Sequence, residues 1–226
     1  MARMAAALGV TLAVATGGCA GHQIPYGDQS PHLSASGTGN VALAVLDRRA
    51  YVRSGGKRAS FCGLMRSAVG IPHDVTTTSG APLAADFADV VARALRINGF
   101  RVIAVETSTA QPDTAAVQAL ASQGADRALL IAINEWKSDT MQRTWLIYRA
   151  TAQVRDRTGH VIAQSEIVGN DDIGGEVLDD PSEKVKEIVP AASQERLERL
   201  LNDPAITNAL GRFTADKPAS DAGPSP

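Results

Sequence analysis

Along this chain the spacing of apolar residues changes period several times, and each change marks an element. "NVALAVLD", Asn40 to Asp47, is a short apolar run rich in Val and Leu, consistent with a buried strand. "SFCGLMRSAVG", Ser60 to Gly70, predicts a weaker strand reached through a turn at Gly55–Gly56. In "APLAADFADVVARALRINGF" the residues Leu83, Phe87, Val90, Val91, Ala94 and Leu95 recur at helical spacing. Pro82 suits the first turn of that helix and Asn98–Gly99 its C-terminal stop. "FRVIAV", Phe100 to Val105, reads as a strand. Pro112 to Gln123 reads as a short helix whose apolar side is Val117, Leu120 and Ala121, ended by Gly124.

Three strands are expected next. "RALLIAINEWKSD", Arg127 to Asp139, starts as a continuous apolar run and becomes alternating. In "TWLIYRATAQVRD", Leu146, Tyr148, Ala150, Ala152 and Val154 share one face, and Ile147, Arg149, Thr151, Gln153 and Arg155 the other. Such alternation means one buried and one wet face. A turn at Asp156–Gly159 and a partner strand from His160 complete a hairpin. A last helical region opens at Asp180–Pro181, with Glu183 placed as a capping partner and an apolar side interrupted by Pro190. The order predicts an α/β fold, an α+β sandwich in which two or three helices cover one face of a mixed sheet of about five or six strands. Its early part is expected to be parallel and its late hairpins antiparallel.

The ends of the chain have a different pattern. Met1 to Ala7 carries Arg3, and Met4 to Thr16 is uncharged and apolar, the layout of a secretory signal. A spanning helix needs about 20 apolar residues, and Gly17, Gly18 and the polar run from Gly21 stop this one short. Residues 1–18 are therefore read as a signal peptide and 19–39 as Cys19 followed by a flexible Gly/Ser/Pro tether. Such a tether spans roughly 25 Å as a coil. Residues 40–213 are expected to form one domain, and 214–226 have the composition of a disordered tail.

"ATGGC", Ala15 to Cys19, resembles the lipobox of bacterial lipoproteins, with Thr16 where that family usually has Leu. The resemblance implies that Cys19 is acylated after cleavage and holds the domain on a membrane through its acyl chains, at about 0.8 kcal/mol per buried CH₂. It also implies the outer membrane, since Ala20 rather than Asp follows the cysteine. The lipobox, the glycine-rich tether, the first strand "VALAVLD", a helix ending in "NGF" before a strand, and late hairpins together resemble the YajG-like group of small periplasmic α/β lipoproteins. That likeness runs from about Cys19 to Gly169. It implies a fold and a location and carries no catalytic signature.

Composition narrows the remaining chemistry. Hydrophobic residues make up 44% of the chain and aromatics only 4%, so Val, Leu, Ile and Ala must build the core. A net charge of −2 argues against a nucleic-acid binder. Once Cys19 is acylated, Cys62 is the sole thiol, expected in a strand and buried, and no intramolecular disulfide can form. His22, His32, His73 and His160 lack the spacing of metal ligands. His73–Asp74 has no nucleophile motif beside it, and "SGGKRAS" fails the phosphate-loop pattern. No cofactor or metal is expected. "GNDDIGGEVLDD", Gly169 to Asp180, reads as a solvated acidic loop, with calcium as the rival reading.

Charge is distributed unevenly. Arg48, Arg49, Arg53, Lys57, Arg58 and Arg66 crowd Asn40 to Gly70, whereas Glu166 to Glu187 holds eight acidic residues. Arg48, Arg49, Arg53, Lys57 and Arg58 are the candidate contact with an anionic surface or an acidic envelope partner. The expected function is a non-enzymatic outer-membrane lipoprotein that binds or supports another envelope component. The rival is a periplasmic hydrolase or small-ligand binder using the loops around His73 and Asp171.

Overall fold

A computed structural model describes residues 22–174 and 181–211. Cys19, the signal segment, the acidic residues Glu176, Asp179 and Asp180, and the C-terminal tail lie outside the described residues. The elements in chain order are β1 (Gln23–Ile24), β2 (Asn40–Asp47), α1 (Ala50–Arg53), β3 (Phe61–Arg66), β4 (Pro72–Thr77), α2 (Leu83–Ile97), β5 (Arg101–Ala104), α3 (Asp113–Ala121), β6 (Arg127–Thr140), β7 (Thr144–Arg155), β8 (Val161–Gly174), α4 (Pro181–Leu201) and α5 (Pro204–Gly211).

β6 is the spine of a curled, mixed eight-stranded sheet. Along one edge it pairs antiparallel with β7 from Ala128 to Thr140, broken by a bulge between Ile133 and Glu135. Its other edge serves two strands in succession. β2 lies parallel to Arg127–Ile133, and β3 lies parallel to Ser138–Thr140. β5 extends the sheet beyond β2, β4 and β1 beyond β3, and β8 beyond β7.

The apolar run of β2 is continuous because both of its faces are covered. Val41, Leu43 and Val45 join the main core with α2, α4 and α5, while Ala42, Ala44 and Leu46 meet Ala116 and Leu120 of α3. Helices therefore lie on both faces of this half of the sheet, a correction to the one-faced sandwich. α2 forms as its pattern requires and stops at Gly99, φ 93°. The Gly99 N–H bonds the Arg96 carbonyl and the Phe100 N–H that of Leu95, which closes the helix in a Schellman turn. A β-carbon on Gly99 would stand 2.7 Å from the Gly37 carbonyl oxygen.

Other expectations also need correcting. β4 and α1 fall where a loop was expected, α4 continues through Pro190 to Leu201, and β8 runs on to Gly174. Asp171 and Asp172 thus stand on a strand and not in a solvated acidic loop.

The largest correction concerns residues 22–39. They are laid along the domain as a strap. β1 pairs parallel with β4, and Gln29, Pro31, Leu33 and Ala35 alternate inward with exposed Ser30, His32, Ser34 and Ser36. The N–H groups of Ser30, His32 and Ser34 donate to Gln194, Glu198 and Asn202, at 3.2, 2.8 and 2.7 Å. These acceptors are four residues apart on and just past α4, a rise of about 6 Å. Two residues of extended chain rise about 6.6 Å, so the two periods match. Arg93 of α2 adds bonds to the carbonyls of Gly27 and Gln29, both 3.0 Å. Tyr26, fully buried, starts an aromatic row that continues through Phe87 and Trp136 to Tyr148, with ring centroids 5.6, 5.0 and 5.8 Å apart.

The strap is part of the folding unit, so cutting its anchors must cost core energy. Tyr26→Ala and Leu33→Ala are each expected to lower unfolding free energy by about 2–5 kcal/mol in urea titrations. Wild-type stability in both variants would return these residues to the status of a tether.

Candidate functional site

The basic segment divides once the chain folds. Arg49 is fully buried, and its five N–H donors meet five acceptors. Nε and Nη2 bond the two carboxylate oxygens of Asp47, at 2.9 and 2.6 Å. Nη2 also bonds the Ala59 carbonyl at 3.0 Å, and Nη1 bonds the carbonyls of Phe61 and Trp136. Burial alone would loosen its proton, yet the bonds and charge of Asp47 hold its pKa above the ordinary arginine value. This knot fills the seam on the β6 edge where β2 has ended and β3 has not begun. Tyr51 closes it from outside, its hydroxyl 2.7 Å from Glu135, with Lys137 over its ring.

Arg48 is buried as well, its side chain 7% exposed and paired with Asp113 of α3. Arg48 and Arg49 therefore cannot face an anionic surface, which corrects the five-residue patch. Lys57 pairs with Asp74 and lies 5.0 Å from the Phe61 ring centroid. Arg53 and Arg58 are exposed. Adjacent basic residues look like a solvated face in sequence; the sign to the contrary was Asp47, two residues before Arg49.

His73 and Asp171 are not brought together. His73 is exposed on β4, and Asp171 stands on β8, four strand spacings away, about 19 Å along the sheet. Asp171 accepts bonds from Arg196, at 2.7 and 3.1 Å, and from the Tyr148 hydroxyl at 2.9 Å. The Arg196 bonds, aided by Tyr148, hold its carboxyl below the usual aspartate range. Gly169 faces Tyr148, and a β-carbon there would fall 2.2 Å from the hydroxyl. Asp172 pairs with Arg143 at 2.6 Å. Both carboxylates are thus engaged by arginines, and among the described residues no group of three His, Cys, Asp or Glu is placed to hold a metal. Cys62 is buried in β3, and burial pushes its thiol pKa well up.

Two concave places stand out among the described residues. A groove of about 600 Å³ lies where β2 and β5 end beside the start of α2, walled by Val45, Ala84, Ala88 and Val105, with Asp89 and Glu106 exposed on it. Its only buried carboxylate is Asp47, already held by Arg49. A second hollow of about 390 Å³ lies at the end of the sheet, between Arg66, Asp139, Met141 and Trp145. Met141 and Trp145, which line it, are exposed, as are Val69 and Ile71 in the turn between β3 and β4. Sequence reasoning missed them, though Val69 and Ile71 flank Gly70 in a stretch too short to be core.

No family model and no curated protein matches the chain. Among solved structures it is similar to protein XCC0632 from Xanthomonas campestris, described under the family model DUF330. The identity is 15% and the TM-score 0.49, over 80% of this chain and 95% of that one. It is similar to lipoprotein GNA1162 from Neisseria meningitidis at 14% identity and TM-score 0.35, over 70% and 98% of the two chains. For the C-terminal domain of LpoB from Escherichia coli the values are 10% and 0.30, over 59% and 83%. No helix among the described residues is long and apolar enough to cross a membrane.

The Arg49 knot gives a sharp expectation. Arg49→Met strands a buried carboxylate and three carbonyls and should cost about 3–5 kcal/mol in chemical unfolding. Arg49→Lys should also destabilise, because three ammonium donors cannot serve five acceptors. A lysine variant as stable as wild type would contradict this geometry.

Proposed function

We propose that this chain is a lipid-anchored, non-enzymatic binding or assembly module of the bacterial envelope, held at the periplasmic face of the outer membrane by acyl chains on Cys19. The observation that carries the reading is the junction between anchor and fold. A lipobox-like "ATGGC" ends at Cys19, and the strap begins at His22 with only Ala20 and Gly21 between. A cysteine so placed bolts the domain to a membrane through the strap and, beyond it, α4.

The non-enzymatic part rests on how the charged groups are used. Asp47, Asp171, Asp172, Asp139 and Asp126 each pair with an arginine. His73 has no partner in the rival constellation, since Asp171 lies across the sheet. Long paired strands whose outer face is exposed among the described residues suit a surface that meets another macromolecule better than a pocket that turns over substrate. The partner is taken to be another envelope component.

Replacing Cys19 by Ser is expected to abolish incorporation of a clickable fatty acid and to move the protein from the membrane fraction to the soluble one. Labelling that survives the substitution would refute the anchor.

A further inference from the structure

β3 and β6 run parallel with Met65 opposite Thr140, so the turns that follow them leave the sheet at the same end. The β3–β4 turn carries Val69 and Ile71, 81% and 57% exposed, and the β6–β7 turn carries Met141, 45% exposed. Trp145, 41% exposed, stands on the adjoining rungs of β7. Among the described residues, the charged side chains beside these turns pair with one another. Arg66 grips Asp139 with two bonds of 2.7 Å, and Arg143 pairs with Asp172. Exposed apolar side chains with an indole among them, beside charges that are paired, have the chemistry of a bilayer interface.

The direction of the chain points to the same end. β1 is parallel to β4 with Gln23 opposite Thr76, and the Thr76 N–H bonds the His22 carbonyl. Travelling backwards from His22 is therefore travelling toward Pro72, where β4 meets the turn. Cys19 is three residues before His22, a reach of at most about 11 Å. From Val75 to Pro72 is also three residues, about 10 Å. Acyl chains on Cys19 thus bring the headgroups within about 11 Å of His22, a distance the two turns already span. Resting on the lipid anchor proposed above, we infer that this end of the sheet sits on the phospholipid bilayer, with Val69, Ile71, Met141 and Trp145 in its interfacial layer. The anchor then fixes orientation as well as location, and the sheet stands upright on the membrane.

The chain has two tryptophans, and Trp136 is fully buried, so Trp145 reports on this end. The lipidated protein is reconstituted into phosphatidylcholine vesicles with plain or brominated acyl chains, and the mass of its N-terminal peptide is read from the same sample. Brominated lipid should remove the Trp145 share of the emission and leave that of Trp136. Trp145→Phe protein should show no quenching. A Val69→Ser, Ile71→Ser, Met141→Ser variant should keep its melting temperature and show weaker quenching of Trp145. Acylated protein whose Trp145 emission is unchanged by bromine, or is quenched equally in the triple variant, overturns the placement while leaving the anchor intact. An N-terminal peptide without acyl mass overturns the anchor and the placement with it.

Discussion

A guanidinium with every N–H occupied inside the protein determines where the other elements can go. β6 cannot pair continuously with one neighbour on its second edge, because β2 leaves it at Ile133 and β3 arrives only at Ser138. The seam between them exposes backbone carbonyls to the core, each costing about 1–3 kcal/mol if left without a donor. Arg49 answers three of them, on Ala59, Phe61 and Trp136, and Asp47 balances its charge. The knot sets the position of β3 on β6. That sets β4, which sets β1, and β1 fixes the direction in which the chain runs back toward Cys19. The proposed seat on the membrane is in this sense downstream of one buried arginine.

The strap converts a composition that looks disordered into structure by borrowing order from α4. Gly, Ser and Pro bring little apolar surface, so residues 29–35 hold on through a ladder of backbone donors against helical acceptors of matching rise. Tyr26, Leu33 and Ala35 supply the burial. Their alternation with polar residues was present in the sequence, at period two, but a run dominated by turn-forming residues hid it.

What the sequence revealed follows the same logic. β2, α2 and the β7–β8 hairpin were legible because their neighbours are close in the chain or their apolar period is unbroken. The helices on both faces were implied by the unbroken run of β2, which alternation on one face would not require. Arg48 and Arg49 were misread because pairing partners such as Asp113, or the carbonyl of Trp136, lie far away in sequence. The separation of His73 and Asp171 depends on strand order across the whole sheet, which local patterns do not encode. The apolar sheet end was invisible for a similar reason. Its residues come from two stretches about seventy positions apart, one the turn between β3 and β4 and the other the turn into β7 with its first rungs, brought to the same end by the parallel pairing of β3 with β6.

With the proposed anchor on Cys19, a strap built into the fold would hold the domain close to the membrane rather than floating on a leash. The most direct measurement is neutron reflectometry on the lipidated protein bound to a supported phosphatidylcholine bilayer. A domain standing on its sheet end gives protein density that begins in the headgroup layer with no intervening water. A solvent-filled layer of roughly 25 Å, the coil span of a free twenty-residue linker, would contradict it.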